Sequence, residues 1–339
     1  MTISALTIEL IGVSTKPRIV SQAVAMSAER KPFRVIMWCV PRSISTALTK
    51  CFSWIDNTKI WFEPYCLAFI QDYAMKSMGV TLPAKAADLS PDFVSQLNAA
   101  TKGTPLENRL KPEVMDLSIL LRDGVREQLD SLPDDQSVFV KDMAYGVTNF
   151  LDLLPSKESG FKHTFLIRDP ERVFPSWRNL LMAQMKRLPL PGQKPIDEST
   201  FDMTTDPGFM MPGYTYKCQY DLWRHVKEHF DPEPVVIDID ELVANPKQLL
   251  PKYFEACGMP WDESLLSWDA SPTVAREWRT LYPMGFGESV TYQRALASTS
   301  FQPSRPKLQR SDMTPDAIKA IDETADFYKE MATSRITFD

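Results

Sequence analysis

Short apolar stretches alternate with helical patterns along most of this chain. Stretches rich in β-branched and aromatic residues predict buried strands at 34–40, 58–62, 136–141, 163–167 and 233–239. Apolar periodicity and capping signals predict helices at 47–52, 65–78, 113–132, 147–154, 214–230, 246–257 and 314–331, and one that begins at 169–170. Strands that alternate with helices in this way indicate a parallel sheet covered on both faces. The expected fold class is therefore α/β, with three α/β/α layers and a central parallel sheet of about five strands.

Two segments interrupt this alternation. Residues 79–112 carry several prolines, and residues 188–213 are punctuated by Pro, Met and Gly, so both are expected to be irregular insertions. Residues 1–32 are weakly patterned and are expected to form a variable N-terminal extension. Because no internal repeat and no linker interrupts the remainder, we predict a single domain over 33–339.

Composition narrows the classes of partner. The formal charge of −6 argues against a broad basic surface for nucleic acid or a sulfated polysaccharide, although a local anion pocket remains compatible with it. The five cysteines lack metal-ligand spacing, and their odd number favours a reducing compartment over a disulfide framework. No stretch approaches the roughly 20 apolar residues that span a bilayer. We expect a cytoplasmic protein without a nucleic-acid or membrane partner, and the oligomeric state stays open.

The loop after the first predicted strand has the composition of an anion site. The strand breaks at Pro41, a polar run from Arg42 to Thr46 follows, and a helix starts at about Ala47. Loop and helix-start N–H groups, hydroxyls and a guanidinium would then surround one point. The alternative is an ordinary strand-to-helix turn with a surface arginine.

Polar residues at the other strand ends strengthen the anion interpretation. The second strand ends at Glu63, the third at Lys141 and Asp142, and the fourth at Arg168 and Asp169. Ligands of parallel sheets bind beyond the carboxyl ends of the strands, so these side chains are expected to converge. Two arginines, a lysine, several hydroxyls and a carboxylate at one edge favour an anionic ligand.

These residues also resemble a known family. The run PRSISTAL at 41–48 is similar to the PRSGST-type 5′-phosphosulfate loop of sulfotransferases that use 3′-phosphoadenosine 5′-phosphosulfate (PAPS). Arg168 and Ser176, eight residues apart, resemble the Arg…Ser pair that holds the 3′-phosphate in that family. The segments at 165–170, 236–242, 245–246 and 257–260 are similar to later family segments, so the resemblance covers about 34–262. The nucleotide-triphosphate motif GxxxxGK[ST] is absent, which speaks against a kinase or ATPase.

The resemblance implies a P-loop NTPase-like sulfotransferase fold and a set of donor-binding residues. Its expected reaction moves the sulfuryl group of PAPS in line to a hydroxyl of a small molecule, with an amine as the less favoured acceptor and no metal. The 5′-phosphosulfate would be held by Arg42, Ser43, Ile44, Ser45, Thr46 and Ala47. The 3′-phosphate would be held by Arg168 and Ser176. The late basic residue of the family has no clean match, so Lys307 is chosen, with Arg305 and Arg294 as alternatives.

The expected catalytic residues are Glu63, Lys141, Arg42 and Asp142. Related enzymes carry Lys-x-His at the end of the third strand, but residue 143 is a methionine here. Glu63 lies 22 residues after Pro41, close to the spacing of the catalytic glutamate in tyrosylprotein-sulfotransferase-like enzymes. The resemblance therefore implies Glu63 as the base, with Asp142 second, and Lys141 and Arg42 as groups that stabilise charge. The alternatives are that Glu63 caps the next helix or pairs with Arg42, and that Lys141 is a surface lysine.

Other possibilities stay open beside this one. Arg168 could form an ion pair with Asp169 or Glu171. Ile44 replaces the family's glycine, and we expect it to take ordinary backbone dihedrals. His225 and His229 share a helix face without a third ligand, so we expect no metal. The alternative functions are a catalytically silent scaffold or sensor that binds adenosine bisphosphate, and a phosphoryl-transfer relative.

Overall fold

The computed structural model describes residues 31–338 except 105–106, 108–110, 112–113, 188–194, 207–211 and 283–290. The expected N-terminal extension therefore lies almost wholly outside the described residues, and the predicted insertion at 188–213 lies partly outside them. The predicted domain boundaries stay a prediction.

A five-stranded sheet forms the centre of the fold. Its strands are β1 (Arg34–Cys39), β2 (Thr58–Phe62), β3 (Ser137–Met143), β4 (Lys162–Ile167) and β5 (Val235–Asp238). They lie in the order β2-β3-β1-β4-β5, and every neighbouring pair is parallel. The predicted strands and the central parallel sheet are thus confirmed, and all five carboxyl ends meet at one edge.

Helices follow the strands in the alternating order that the sequence predicts. Their bounds are α1 (Ser45–Phe52), α2 (Pro64–Ser77), α3 (Pro91–Thr101), α4 (Arg122–Asp130), α5 (Pro170–Arg187), α6 (Pro212–His229), α7 (Ile239–Ala244), α8 (Pro246–Ala256), α9 (Gln293–Leu296) and α10 (Pro315–Ala332). Proline occupies the first turn of α2, α3, α8 and α10, where its missing N–H has no helical partner to lose.

The two faces of the sheet are buried by different helices. Ile36 and Trp38 of β1 join a core cluster that includes residues of α2, α4, α6 and α10. Val35 and Met37 point the other way, into a cluster with α1, α8 and the segment 261–301. Because both clusters contain side chains from the sheet, the three-layer α/β/α arrangement is confirmed.

Three predicted elements differ from the structure. The single helix expected at 113–132 is wrong, because Leu117–Ile119 is a 3₁₀ turn and α4 begins only at Arg122. The helix expected at 147–154 is replaced by 3₁₀ turns at Ala144–Gly146 and Leu151–Leu153. The segment 79–112 is not wholly irregular, since Ser90 caps α3 by accepting the Phe93 N–H.

Within the described ranges, no helix combines the length and the apolar character that crossing a membrane requires.

Candidate active site

The loop between β1 and α1 contains a row of N–H groups that have no acceptor among the described residues. Within the described chain, no hydrogen bond is donated by the N–H groups of Ser43, Ile44, Ser45 and Thr46. The first turn of α1 contains no acidic residue, and its N-cap side chain makes no capping hydrogen bond. The Ala47 N–H, in contrast, already donates to the Ile44 carbonyl at 3.0 Å. Unpaired N–H groups at a helix start form a concavity that suits an anion.

Two residues of this loop have left-handed backbones. Arg42 has a φ of 64° and Ile44 a φ of 60°. The expectation of ordinary dihedrals at Ile44 is therefore wrong, although such values are rare for a β-branched residue. The Ile44 side chain is half-buried against the core cluster that contains α1, and this packing helps to hold the strained backbone. Left-handed residues in turns orient successive N–H groups toward anions, so the strain coincides with the predicted site.

Arg42 lies among positive charges and without a carboxylate partner in the described chain. Its Nε donates to the Ser176 hydroxyl at 3.0 Å. Burial lowers the pKa of Arg42, and the charges of Arg168 and Arg294 lower it further. The alternative pairing of Arg42 with Glu63 does not occur. A bound anion would stabilise a half-buried guanidinium that lies beside two other cations.

Arg168 connects this loop to the end of β5. Its Nη1 donates to the Arg42 carbonyl at 2.6 Å. Its Nε lies 3.3 Å from both carboxylate oxygens of Asp240, and Nη2 lies 3.2 Å from Oδ1. Nη2 also lies 3.3 Å from the Ser304 hydroxyl. The ion pair expected as an alternative thus exists, but its partner is Asp240, not Asp169 or Glu171.

Lys307 lies beside the first turn of α5. Its Nζ pairs with Asp169 and lies 3.0 Å from Glu171. Asp169 also caps α5 by accepting the Glu171 N–H at 2.9 Å. Lys307, Asp169 and Asp240 line a cleft of about 340 Å³.

The two alternatives to Lys307 take other positions. The Arg305 carbonyl accepts from Arg172 on α5. Arg294, on α9, is exposed, makes no ion pair within the described ranges, and is close enough to affect Arg42. Lys307 and Arg305 therefore lie beside α5, whereas Arg294 lies near Arg42.

Glu63 and Lys141 form a buried ion pair, with 3% and 1% of their side chains exposed. The alternative of a surface lysine at 141 is therefore wrong. The other Glu63 oxygen, Oε2, accepts from the Tyr292 hydroxyl at 2.9 Å. Burial alone would lower the pKa of Lys141, but the nearby Cys39 and Glu63 outweigh it and raise that pKa. Lys141 is thus a cation at neutral pH.

Asp142 caps α2. Its carboxylate accepts the N–H groups of Tyr65 at 2.7 Å, Cys66 at 2.9 Å and Met143 at 2.8 Å. Glu63 occupies the N-cap position of α2 but makes no side-chain capping bond there, so the capping alternative for Glu63 is wrong. Burial raises the pKa of Asp142 to about 7, against the opposing effect of these N–H groups.

Sequence reasoning missed several residues of the site. Tyr292 lies in a loop-rich region 229 residues from Glu63, so no local pattern could indicate their contact. The Cys39 thiol donates to the Asp142 carbonyl at 3.3 Å and lies close to Lys141, Ser43 and Ser45, and burial raises the pKa of this thiol. Its place at the end of β1 was the only available signal. Cys39 is therefore close to both the loop and the Glu63–Lys141 pair.

Metal-binding groups are sparse in what the structure describes. No cluster of three or more His, Cys, Asp or Glu side chains with the geometry to hold a metal ion occurs among those residues. The ring centroids of His225 and His229 lie 4.4 Å apart on α6.

Comparison with known proteins gives distant likenesses. No protein-family model matches the chain. "Branched-chain-amino-acid aminotransferase-like protein 2" of Arabidopsis thaliana is 23% identical over a 248-residue alignment that covers 69% of this chain and 32% of that protein. The chain thus spans about a third of the length of this curated relative.

Similar solved structures carry sulfotransferase names. The sulfotransferase domain from the curacin biosynthetic pathway has a TM-score of 0.42 at 15% identity, covering 88% of this chain and 99% of that one. The sulfotransferase domain of the Synechococcus PCC 7002 olefin synthase has a TM-score of 0.38 at 14% identity, covering 88% and 97%. Mouse sulfotransferase SULT7A1 complexed with PAP has a TM-score of 0.41 at 12% identity, covering 94% and 90%.

Proposed function

We propose that this chain is a PAPS-dependent sulfotransferase that transfers the sulfuryl group to a hydroxyl of a small molecule, with an amine as the less favoured acceptor. The observation that carries this proposal is the loop after β1. Among the described residues, its N–H groups from Ser43 to Thr46 have no acceptor and its arginine has no carboxylate partner; with two left-handed residues, this loop suits an anion with several oxygens.

The donor would bind across two adjoining subsites. The N–H groups from Ser43 to Thr46 and the guanidinium of Arg42 would hold the 5′-phosphosulfate. Arg168 and Ser176 would hold the 3′-phosphate, with Lys307 close to the same end of α5. Contacts of Arg42 with Ser176 at 3.0 Å and of Arg168 with the Arg42 carbonyl at 2.6 Å support this, because they join the two sets of residues.

Glu63 and Lys141 would perform the chemistry. The acceptor oxygen forms a bond to sulfur as the bond from sulfur to the bisphosphate oxygen breaks, and Glu63 accepts the hydroxyl proton. The Lys141 cation would stabilise charge that develops on the leaving oxygen, as in other loose in-line transfers. Their present contact would open when the acceptor hydroxyl replaces Lys141 at the Glu63 carboxylate.

Asp142 is the second candidate for the base. Its pKa near 7 suits proton transfer at neutral pH. However, three backbone N–H groups already engage its two oxygens, whereas the Glu63 carboxylate is bonded by the side chains of Lys141 and Tyr292 in the described part of the chain. This difference favours Glu63.

A second candidate function is nucleotide binding without transfer. The Glu63–Lys141 pair favours it, because two buried reacting groups that neutralise each other need not react with anything else.

Thermal stabilisation by nucleotides tests the proposal. The full chain, Arg168→Ala, Ser176→Ala and the exposed control Arg224→Ala would be melted with 3′,5′-bisphosphoadenosine, AMP, or ATP with and without Mg²⁺. We expect 3′,5′-bisphosphoadenosine to raise the melting temperature of the wild type and of Arg224→Ala more than AMP or ATP does. This difference should shrink in Arg168→Ala and Ser176→Ala. An equal response to AMP and bisphosphate in the wild type would refute a 3′-phosphate subsite.

Transfer itself separates the two candidate functions. Release of 3′,5′-bisphosphoadenosine from PAPS would be measured with a panel of phenols, alcohols and amines. Acceptor-dependent release supports the enzyme. Tight bisphosphate binding without release for any acceptor supports the silent binder.

A further inference from the structure

We infer that Asp240 is an internal counter-ion that occupies the 3′-phosphate subsite and limits how strongly this chain prefers nucleotides with a 3′-phosphate. The inference rests on the proposed function, because it takes Arg168 as the ligand of that phosphate. Asp240 lies at the end of the sheet, and the proposed donor binding by the loop and chemistry at Glu63 and Lys141 assign it no role.

The carboxylate of Asp240 takes the place that a phosphate would need. Nε of Arg168 lies 3.3 Å from both of its oxygens, and Nη2 lies 3.2 Å from Oδ1. The Ser304 hydroxyl donates to the same Oδ1 at 2.5 Å and also lies 3.3 Å from Arg168 Nη2. The Arg168 fork that would hold two phosphate oxygens is thus already engaged by an anion of the chain, and so is the Ser304 hydroxyl beside it.

Asp240 has a second cation to which it can shift. Arg172 Nε lies 3.6 Å from its Oδ2. About 20% of the Asp240 side chain is exposed, and it borders the cleft of about 340 Å³, so the carboxylate has room to move. A 3′-phosphate could therefore displace Asp240 from Arg168 while Arg172 retains it. The displaced carboxylate would stay close to the phosphate and repel it.

This arrangement gives a prediction whose sign is informative. If Asp240 competes with the phosphate, Asp240→Asn removes both the competition and the repulsion. Binding of 3′,5′-bisphosphoadenosine is then expected to tighten by about tenfold, while AMP, which lacks the 3′-phosphate, changes by less than about twofold. If Asp240 only orients Arg168, the same change would weaken bisphosphate binding.

A matched control lies one residue further along α7. Glu241 borders the same cleft, but its carboxylate pairs with Arg335 at 2.9 Å and not with Arg168. Glu241→Gln removes the same charge from the same helix. It is expected to leave the ratio of bisphosphate to AMP affinity near the wild-type value.

Isothermal titration calorimetry of the full chain with 3′,5′-bisphosphoadenosine and AMP provides the test. A ratio that rises in Asp240→Asn but not in Glu241→Gln supports the inference, and Asp240→Ser substitutes if the first variant fails to fold. A wild type that prefers the bisphosphate, with a ratio that stays or falls in Asp240→Asn, overturns this inference alone. A wild type that binds both nucleotides equally, with a ratio that stays the same in Asp240→Asn, overturns the proposed function as well.

Discussion

The left-handed backbone of Ile44 predicts an unusual ranking of substitutions at that position. At a φ of 60°, the Cβ atom of an L residue approaches the following carbonyl oxygen, which costs about 1–2 kcal/mol. Replacing Ile44 by glycine removes this strain, but it also removes the half-buried side chain. The informative comparison is therefore between Ile44→Gly and Ile44→Ala, since both variants lose the isoleucine packing.

The expected difference follows from two opposing terms. Glycine usually makes a folded protein less stable than alanine does, by about 0.5–1 kcal/mol, because its unfolded chain is more flexible. At residue 44, alanine would still carry the left-handed strain of about 1–2 kcal/mol. We therefore expect Ile44→Gly to have a free energy of unfolding about 0.5–1 kcal/mol higher than that of Ile44→Ala.

Urea unfolding of the two variants provides the measurement. The matched control is Thr46, which lies two residues further on in the first turn of α1 and has a helical backbone. There the ordinary ranking should hold, with Thr46→Ala more stable than Thr46→Gly. A positive control is Gly160, with a φ of 73° and open space around an added Cβ, where alanine should destabilise. If alanine is also the more stable residue at 44, the left-handed conformation is refuted.

Two further variants test the catalytic pair and the buried histidine. Glu63→Gln should bind 3′,5′-bisphosphoadenosine with an affinity within about twofold of the wild type, but its transfer rate should be about 10²–10⁴-fold lower. Full activity of this variant would mean that Asp142, or no protein group, acts as the base. His163 accepts the Trp38 Nε1–H at 3.0 Å, and burial lowers its pKa from 6.5 to about 3. Because the unfolded chain binds this proton already near pH 6.5, His163 makes stability fall as the pH drops from 6.5 toward 3. His163→Gln should therefore lose less stability than the wild type between pH 7 and 4.5 in urea unfolding, and parallel losses would contradict this.

The convergence of Glu63 and Lys141 could be anticipated from the sequence in part. The sequence predicts both at strand ends, and parallel strands bring their carboxyl ends to one edge. Their direct contact requires more, namely that β2 and β3 are neighbours with Phe62 opposite Lys141. With that register, Glu63 follows directly and its N–H donates to the Lys141 carbonyl at 2.7 Å. Strand order is set by packing across the whole sheet, which no local pattern encodes.

The partners of Arg168 could not be anticipated. Asp240 is 72 residues away along the chain and Ser304 is 136 residues away, so no local sequence pattern indicates either contact. The neighbouring acids Asp169 and Glu171 were the natural candidates by sequence distance. The structure engages both with Lys307 instead, and the cap of α5 fixes Asp169 in that position.

Lys50 shows how a residue without any chemical signal can complete the site. In sequence it is one lysine of a short helix, which usually lies in solvent. Its side chain is fully buried, and Nζ donates to the carbonyls of Asp269 at 2.6 Å, Ser298 at 2.9 Å and Leu296. These bonds tie α1 to the end of α9, the helix that follows Tyr292 directly. The helix α1, which begins at the anion loop, thus also fixes the segment whose Tyr292 contacts Glu63. The acceptors are backbone carbonyls, which are present at every residue, so the sequence cannot indicate which of them Lys50 contacts.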